Sequence, residues 1–259
     1  MRTDGTAREA ESAGALRVSA APASLTGADL PEVRNQFIDR LPRRDRDRLL
    51  GACEPVHLEL SEVLSTRGSP ARHVHFPTEG FVSLVAELEH HPSLEVGMVG
   101  REGMLGVGIA LGMTTVPLRA LVQGPGACWR MGAASFRREL AASAALRRQM
   151  DRYAYVLMAQ MAASAACLRF HLIGPRLARW LLMSQDCASA NSFRLTHEFL
   201  ACMLGVRRVG ITVAAGQLQR RGLITYHRGL LSVLDRTGLE AVACSCYAAG
   251  RSAYREALG

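Results

Sequence analysis

The spacing of apolar residues changes part-way along the chain, and that change limits the architecture more than any single motif. Val56–Leu60 alternates apolar and polar residues. Five more short runs follow: His73–Phe76, Phe81–Leu88, Leu94–Val99, Leu118–Gln123 and Ala127–Met131. Between them lie segments carrying Gly, Pro and Ser, such as Arg67–Arg72, Pro77–Gly80 and Gly124–Gly126. Short strands at this spacing predict a β-sandwich or jelly roll. From Ser135 to Phe170 the period becomes helical. Met150, Ala154, Leu157, Met161, Ser164 and Leu168 are spaced alternately by four and three residues, the pattern of a coiled-coil seam.

The fold class is therefore α+β, with a roll first and helices after it. Residues 1–30 are rich in Ala, Ser, Gly and Asp without periodicity, which predicts a disordered leader. Residues 31–134 form the jelly-roll domain, 135–170 a long dimerisation helix, 171–247 a second domain and 248–259 a C-terminal tail. The chain's 259 residues suffice for two modest domains. No apolar run approaches the ~18 residues of a membrane span, and the N-terminus lacks the apolar block of a secretory signal. These features predict a cytoplasmic protein with no membrane partner.

The net charge is +8, and all 31 basic residues are arginine, a usage that genome composition explains. Its placement is more informative. From Leu168 to Gly259 there are 12 arginines and 5 carboxylates, against 19 and 18 in the remainder. A basic domain on a neutral one points to a polyanionic partner.

The seven cysteines are scattered and odd in number, without a C-x-x-C pair. Cys244-Ser-Cys246 is their one close pair. They read as buried free thiols, so no metal site is assigned to them. A second function class rests on His73, His75 and Glu79, which give the H-x-H-x-x-x-E of a cupin-like metal-binding enzyme. Two imidazoles and a carboxylate suit iron, manganese or zinc. Cupin enzymes add a histidine from a later strand, and Leu118–Met131 supplies none. No residue is assigned a catalytic role, and no cofactor is implied.

The basic third holds the most specific pattern. Thr196 is placed to cap a short helix with Glu198 in its first turn. Leu200, Met203 and Leu204 face inward, and Gly205 ends that helix. Ile211, Ala214, Ala215 and Leu218 then mark a second helix at i, i+3, i+4, i+7. Two short helices joined by a glycine-containing turn make a helix-turn-helix. Arg207 and Arg208 open the second helix, the end that reads the major groove in such motifs. Arg220 and Arg221 close it, where they complement the helix dipole and reach phosphate. Leu223–Leu234 reads as two strands around Arg228-Gly229, a wing. Thr196, Thr212, Gln217 and Arg228 are further DNA-contact candidates, and Val209 and Val213 centre the outward face. Double-stranded DNA is the partner this pattern implies.

From Asn35 to Tyr247 the chain resembles the Crp/Fnr superfamily of bacterial transcription regulators. The stretches Glu95–Met104 (EVGMVGREGM), Arg176–Asp186 (RLARWLLMSQD) and Leu195–Arg208 (LTHEFLACMLGVRR) carry the resemblance, together with the helical Arg147–Ala165. It implies a β-roll of the cyclic-nucleotide-binding type, drawn as a barrel, then a dimerising helix and a winged helix-turn-helix. It also implies a homodimer, RNA polymerase as a candidate partner, and a small-molecule effector in the roll. Glu102 takes the place of the family's ribose-binding acid, so Glu102, Gly103 and Arg119 are the effector-pocket residues. Where the family's phosphate-gripping Arg-Ser or Arg-Thr pair is expected, this sequence has Val116-Pro117. The effector is thus expected not to be a cyclic nucleotide. The cysteine cluster of the iron–sulfur members is absent, and there is no clear haem ligand pattern.

Overall fold

The computed structural model describes residues 35–188 and 190–259; the leader assigned to residues 1–30 lies outside them. Asn35 caps α1 (Gln36–Asp39), its side chain accepting from the Ile38 N–H at 3.1 Å. Its Nδ2 donates to the Pro77 and Gly103 carbonyls at 2.8 Å each, tying the helix to the roll. Helix α2 (Arg43–Gly51) precedes β1 (Glu54–Leu58), β2 (Val63–Ser65), β3 (His73–Pro77), β4 (Phe81–Ala86) and β5 (Leu94–Val99). Helix α3 (Val107–Ala110) lies in the glycine-rich connection, before β6 (Arg119–Gly124) and β7 (Gly126–Gly132).

The strands form two open antiparallel sheets, ordered β1-β7-β3 and β2-β6-β4-β5, where a barrel was expected. The short β2 and the register shifts along β4 take up the curvature without closing the ring. Phe76 of β3 packs against Phe37 of α1 and against Phe136 of the helix that follows β7, with ring centroids 5.9 and 6.3 Å apart.

The helical segment expected over 135–170 is two helices, α4 (Ala133–Ala142) and α5 (Ala144–Phe170). Ser143 is extended between them and caps α5 by accepting from the Leu146 N–H at 3.0 Å. Met150 and Leu157, two of the expected seam residues, are buried in the chain's own roll core. Met161 joins Leu157 in lining the roll's cavity. Ala154, Ser164 and Leu168 are half-buried, and Ser164 accepts from Arg179 at 3.2 Å. The exposed stripe lies one residue along: Tyr155 and Met158 are 60% and 64% exposed, and Ala162 and Ala165 continue it. A helix with one apolar face on its own domain and another on its surface carries two such stripes, and spacing alone does not tell which meets a partner.

The second core is built from α6 (Ile173–Ala188), β8 (Ser192–Arg194), α7 (His197–Leu204), α8 (Arg208–Arg220), β9 (Ile224–His227), β10 (Leu230–Val233) and α9 (Arg236–Val242). Leu177, Trp180, Leu181 and Leu182 of α6 are buried in it. The three-residue β8 extends the two-stranded wing to β8-β10-β9. Of residues 248–259, expected as a tail, 248–258 belong to helix α10 (Cys246–Leu258), which lies along α5. Leu258 enters the roll core, and the Tyr254 hydroxyl donates to the Glu102 carbonyl. No single helix among the described residues is long and apolar enough to cross a membrane.

The two cores meet at β5. Glu95 is half-buried there, accepting from Ser83 of the roll and from Trp180 Nε1 of α6 at 2.9 Å. Burial pushes its carboxyl from the ordinary 4.5 up to about 7, against the opposing pull of those hydrogen bonds and of Arg179. The folded chain therefore holds this proton more tightly than the unfolded chain. Glu95's contribution to stability is most favourable below the ordinary value and falls as the pH climbs through the window to 7, by about 3 kcal/mol. Glu95→Gln should escape that loss. Denaturant unfolding across the window should show the difference between variant and parent moving in the variant's favour as the pH rises; a constant difference would show that Glu95 does not titrate there.

Candidate nucleic-acid interface

Thr196 caps α7 as its position predicts, its Oγ1 accepting from the Phe199 N–H at 3.0 Å. At the other end Gly205 sits at φ 60°, a left-handed conformation costly for other residues. The Gly205 N–H bonds the Cys202 carbonyl, and the Val206 N–H bonds Ala201 at 2.9 Å. This pair of bonds is a Schellman motif, which satisfies the last carbonyls and turns the chain sharply. Helix α8 then leaves at 107° to α7, within the range of helix-turn-helix motifs. Ile211, Ala214, Ala215 and Leu218 bury the inner face of α8.

The outer face of α8 is left to solvent. Val209 and Val213 at its centre are 67% and 54% exposed. Arg207, Arg208, Gln217, Arg220 and Arg221 are exposed around them. In the wing, Arg228 and Gly229 both have positive φ, 47° and 79°, as a tight two-residue hairpin turn requires. The turn leaves Arg228 exposed. Among the described residues, no carboxylate lies within 4.0 Å of Arg207, Arg220, Arg221 or Arg228, and Arg208 has only Glu198 at 4.0 Å.

Sequence reasoning missed His197 and Tyr226, which join the helices to the wing. Their rings stack with centroids 4.5 Å apart, and the Tyr226 hydroxyl donates to the Leu195 carbonyl at 2.8 Å. His197 Nδ1 lies 3.0 Å from Thr212 Oγ1, which donates to the Arg208 carbonyl at 3.2 Å. Burial, then the Arg208 charge, lowers the His197 pKa and favours the neutral ring. Thr212, expected to read DNA, thus has its hydroxyl proton committed to the scaffold. No local sequence signal pairs His197 with Tyr226, because the contact crosses from α7 to β9.

The expected effector residues do not converge. The roll encloses a cavity of about 460 Å³ lined by Leu84, Met104, Val107, Val116, Leu157 and Met161 among others. Glu102, Gly103 and Arg119 are outside that lining. Glu102 accepts from the Gly100 N–H at 2.9 Å beside Cys187, and burial raises its carboxyl pKa. Arg119 pairs with Glu87 at 3.2 Å. Gly103 is filled against the Tyr153 ring. Arg119 lies on β6 and Glu102 and Gly103 in the turn after β5, and the motif match does not tell which way their side chains face.

The cupin-like set is not assembled either. His73 and His75 line the cavity, but Glu79 does not, its carboxylate lying 3.4 Å from the Ala127 N–H. Burial, then His73 and Arg130, lowers the His75 pKa to about 4. Among the described residues, the group of metal-ligating side chains that does converge is Cys167, His171, Cys244 and Cys246. No spacing pattern in the sequence marks it.

Residues 175–242 match the family model of the Crp-like helix-turn-helix domain. This segment is a Crp-like helix-turn-helix domain. No curated protein matches the chain. Solved structures with its fold include FixK2 from Bradyrhizobium japonicum, at 14% identity and TM-score 0.63, covering 74% of this chain and 98% of that one. A CRP-family transcriptional regulator from Thermus thermophilus aligns at 22% identity and TM-score 0.61, covering 73% and 96%. The c-di-GMP responsive global regulator CLP of Xanthomonas campestris aligns at 17% identity and TM-score 0.59, covering 75% and 100%. These likenesses extend the fold beyond the Crp-like domain to the roll and the long helix.

Within the Crp-like domain the Thr196 cap is the most local determinant of the α7 geometry. Thr196→Ala removes the acceptor for the Phe199 N–H and should cost about 1 kcal/mol of stability. Thermal unfolding should show it, and Thr196→Ser should restore most of the loss.

Proposed function

We propose that the protein is a Crp/Fnr-type transcription regulator that binds double-stranded DNA as a homodimer. The observation that carries this reading is the outer face of α8. Exposed arginines stand at both ends of the helix, and among the described residues only Arg208 has a carboxylate, Glu198, as near as 4.0 Å, in a domain matched as Crp-like. At about 1.5 Å per residue the helix is long enough to lie in a major groove. Arg207 and Arg208 at its start are the base-edge candidates, with Gln217 further along. Arg220, Arg221 and Arg228 are the phosphate contacts, and Val209 and Val213 suit thymine methyls. The protein acts in the cytoplasm, with RNA polymerase as the further partner.

The homodimer forms through the exposed α5 stripe of Tyr155, Met158, Ala162 and Ala165. Large apolar side chains and alanines on one helix face suit close packing against a second copy. The effector is a small, largely apolar molecule held in the roll cavity, with the neutral His75 imidazole as its hydrogen-bonding partner. Arg72 is the one arginine in the lining, and Val116-Pro117 offers no phosphate grip. This composition disfavours a cyclic nucleotide.

Sequences that the protein retains from a random DNA library give the operator on which both parts can be tested. Arg208→Ala should cost about 1–3 kcal/mol and relax preference at one base position per half-site. Arg221→Ala should weaken binding to all sequences alike and flatten the salt dependence by about one unit per half-site. Equal weakening of operator and scrambled DNA by Arg208→Ala would make Arg208 a phosphate clamp. For the dimer, Tyr155→Asp with Met158→Asp should give folded monomers that lose operator affinity. A parent chain that sediments as a monomer, with and without DNA, would rule the dimer out.

A further inference from the structure

We propose that Cys167, His171, Cys244 and Cys246 form a zinc-binding site at the joint between α5 and the DNA-binding domain. Cys167 lies in the last turn of α5, and His171 caps that helix, its N–H bonding the Cys167 carbonyl at 3.1 Å. One helical turn separates them, so both face the same way. Cys244 lies in the connection between α9 and α10, and Cys246 is the first residue of α10. The Cys244 N–H donates to the Pro175 carbonyl at 3.2 Å, fixing that connection against the start of α6.

The ligand atoms of all four residues lie within 4.8 Å of one another. Cys167 Sγ is 3.5 Å from Cys244 Sγ, and Cys246 Sγ is 3.5 Å from His171 Nδ1. A tetrahedral zinc with bonds of about 2.3 Å to sulfur and 2.0 Å to nitrogen has ligand–ligand edges of about 3.5–3.8 Å. Small side-chain rotations therefore close the shell. Three thiols and an imidazole exclude magnesium and calcium, which take oxygen ligands. An iron–sulfur cluster is several atoms across and needs its ligands further apart than this.

The surroundings supply charge and access. Three thiolates and a neutral imidazole around Zn²⁺ leave one net negative charge. Arg176 and Arg179 of α6 are within electrostatic reach of the cysteines. Among the described residues neither arginine has a carboxylate within 4.0 Å, and the buried Arg179 Nε has no hydrogen-bond partner. The thiolate shell would place a negative charge beside both arginines, in addition to the Glu95 carboxyl that Arg179 already acts on. Cys167 and Cys244 are buried, while His171 and Cys246 are half-buried and leave the ion a way in. Metal binding exchanges thiol protons for zinc, with no change of oxidation state.

The test uses the full chain, reduced and freed of metal by a chelator, titrated with Co²⁺. One equivalent should give a near-ultraviolet thiolate-to-cobalt band and an intense visible band of tetrahedral cobalt, both displaced by Zn²⁺. Zinc should also raise the unfolding temperature of the parent. Cys246→Ser and the half-exposed His171→Ala should each weaken zinc binding by at least about tenfold and lose that thermal shift. Cys53→Ser, outside the group, should change neither. Failure of the parent to bind Co²⁺, bands that survive Cys246→Ser unchanged, or a Cys167–Cys244 disulfide forming in place of metal uptake would each overturn the proposal. None of these readouts involves DNA, so they stand apart from the reading of α8.

Discussion

The packing of α5 against the roll sets the position of nearly everything else. Leu146, Met150, Tyr153, Val156 and Leu157 are buried between the helix and the sheets, with Tyr153 edge-on to Phe37 at 5.5 Å. A second face of the same helix receives α10, and a third stays exposed. Close packing of this kind tolerates little sliding. Once these rings interlock, the end of α5 at Phe170 and the departure of α6 are fixed. The floor of the roll cavity is fixed with them, because Leu157 and Met161 belong to both.

The DNA-binding domain leans on that frame at β5. Cys202 Sγ lies 3.3 Å from the Ser93 carbonyl, and a Cβ on Gly205 would come within 2.7 Å of Leu94. Gly205 therefore serves two ends at once. Its left-handed backbone makes the turn between α7 and α8, and its missing side chain lets that turn sit against the roll. Together with the Trp180–Glu95 bond, these contacts join the face that would meet DNA to the sheet bordering the cavity.

What the sequence reveals follows from distance along the chain. The Thr196 cap, the Gly205 turn, the inward face of α8 and the Arg228-Gly229 hairpin are each specified by residues within a few positions, and all four were legible. Five of the roll strands were legible to within two residues, and β1 was shifted by two. Three-residue elements such as β2 and β8 leave too short a pattern to read. The α5 stripe was legible as a stripe, but its partner was not, because two apolar faces lie one residue apart. Glu102 and Arg119 were placed by motif position, and their side chains turn elsewhere. The cysteine and histidine group escaped notice because Cys167 and Cys244 are 77 residues apart.

Helix α10 has a mechanical consequence. The chain leaves α5 at His171, builds the helix-turn-helix and wing, and returns at Cys246 to run back along α5. Exit and return lie side by side, with the side chains of His171 and Cys246 3.5 Å apart. A body attached by two strands at nearly one point keeps rotation about that point and loses most of its freedom to translate. The domain is hung like a door on a single pin, with the roll's β5 edge as its jamb. With both connections at one point, it is the contacts at β5, the Trp180–Glu95 hydrogen bond and Cys202 against Ser93 among them, that set the domain's orientation on the roll.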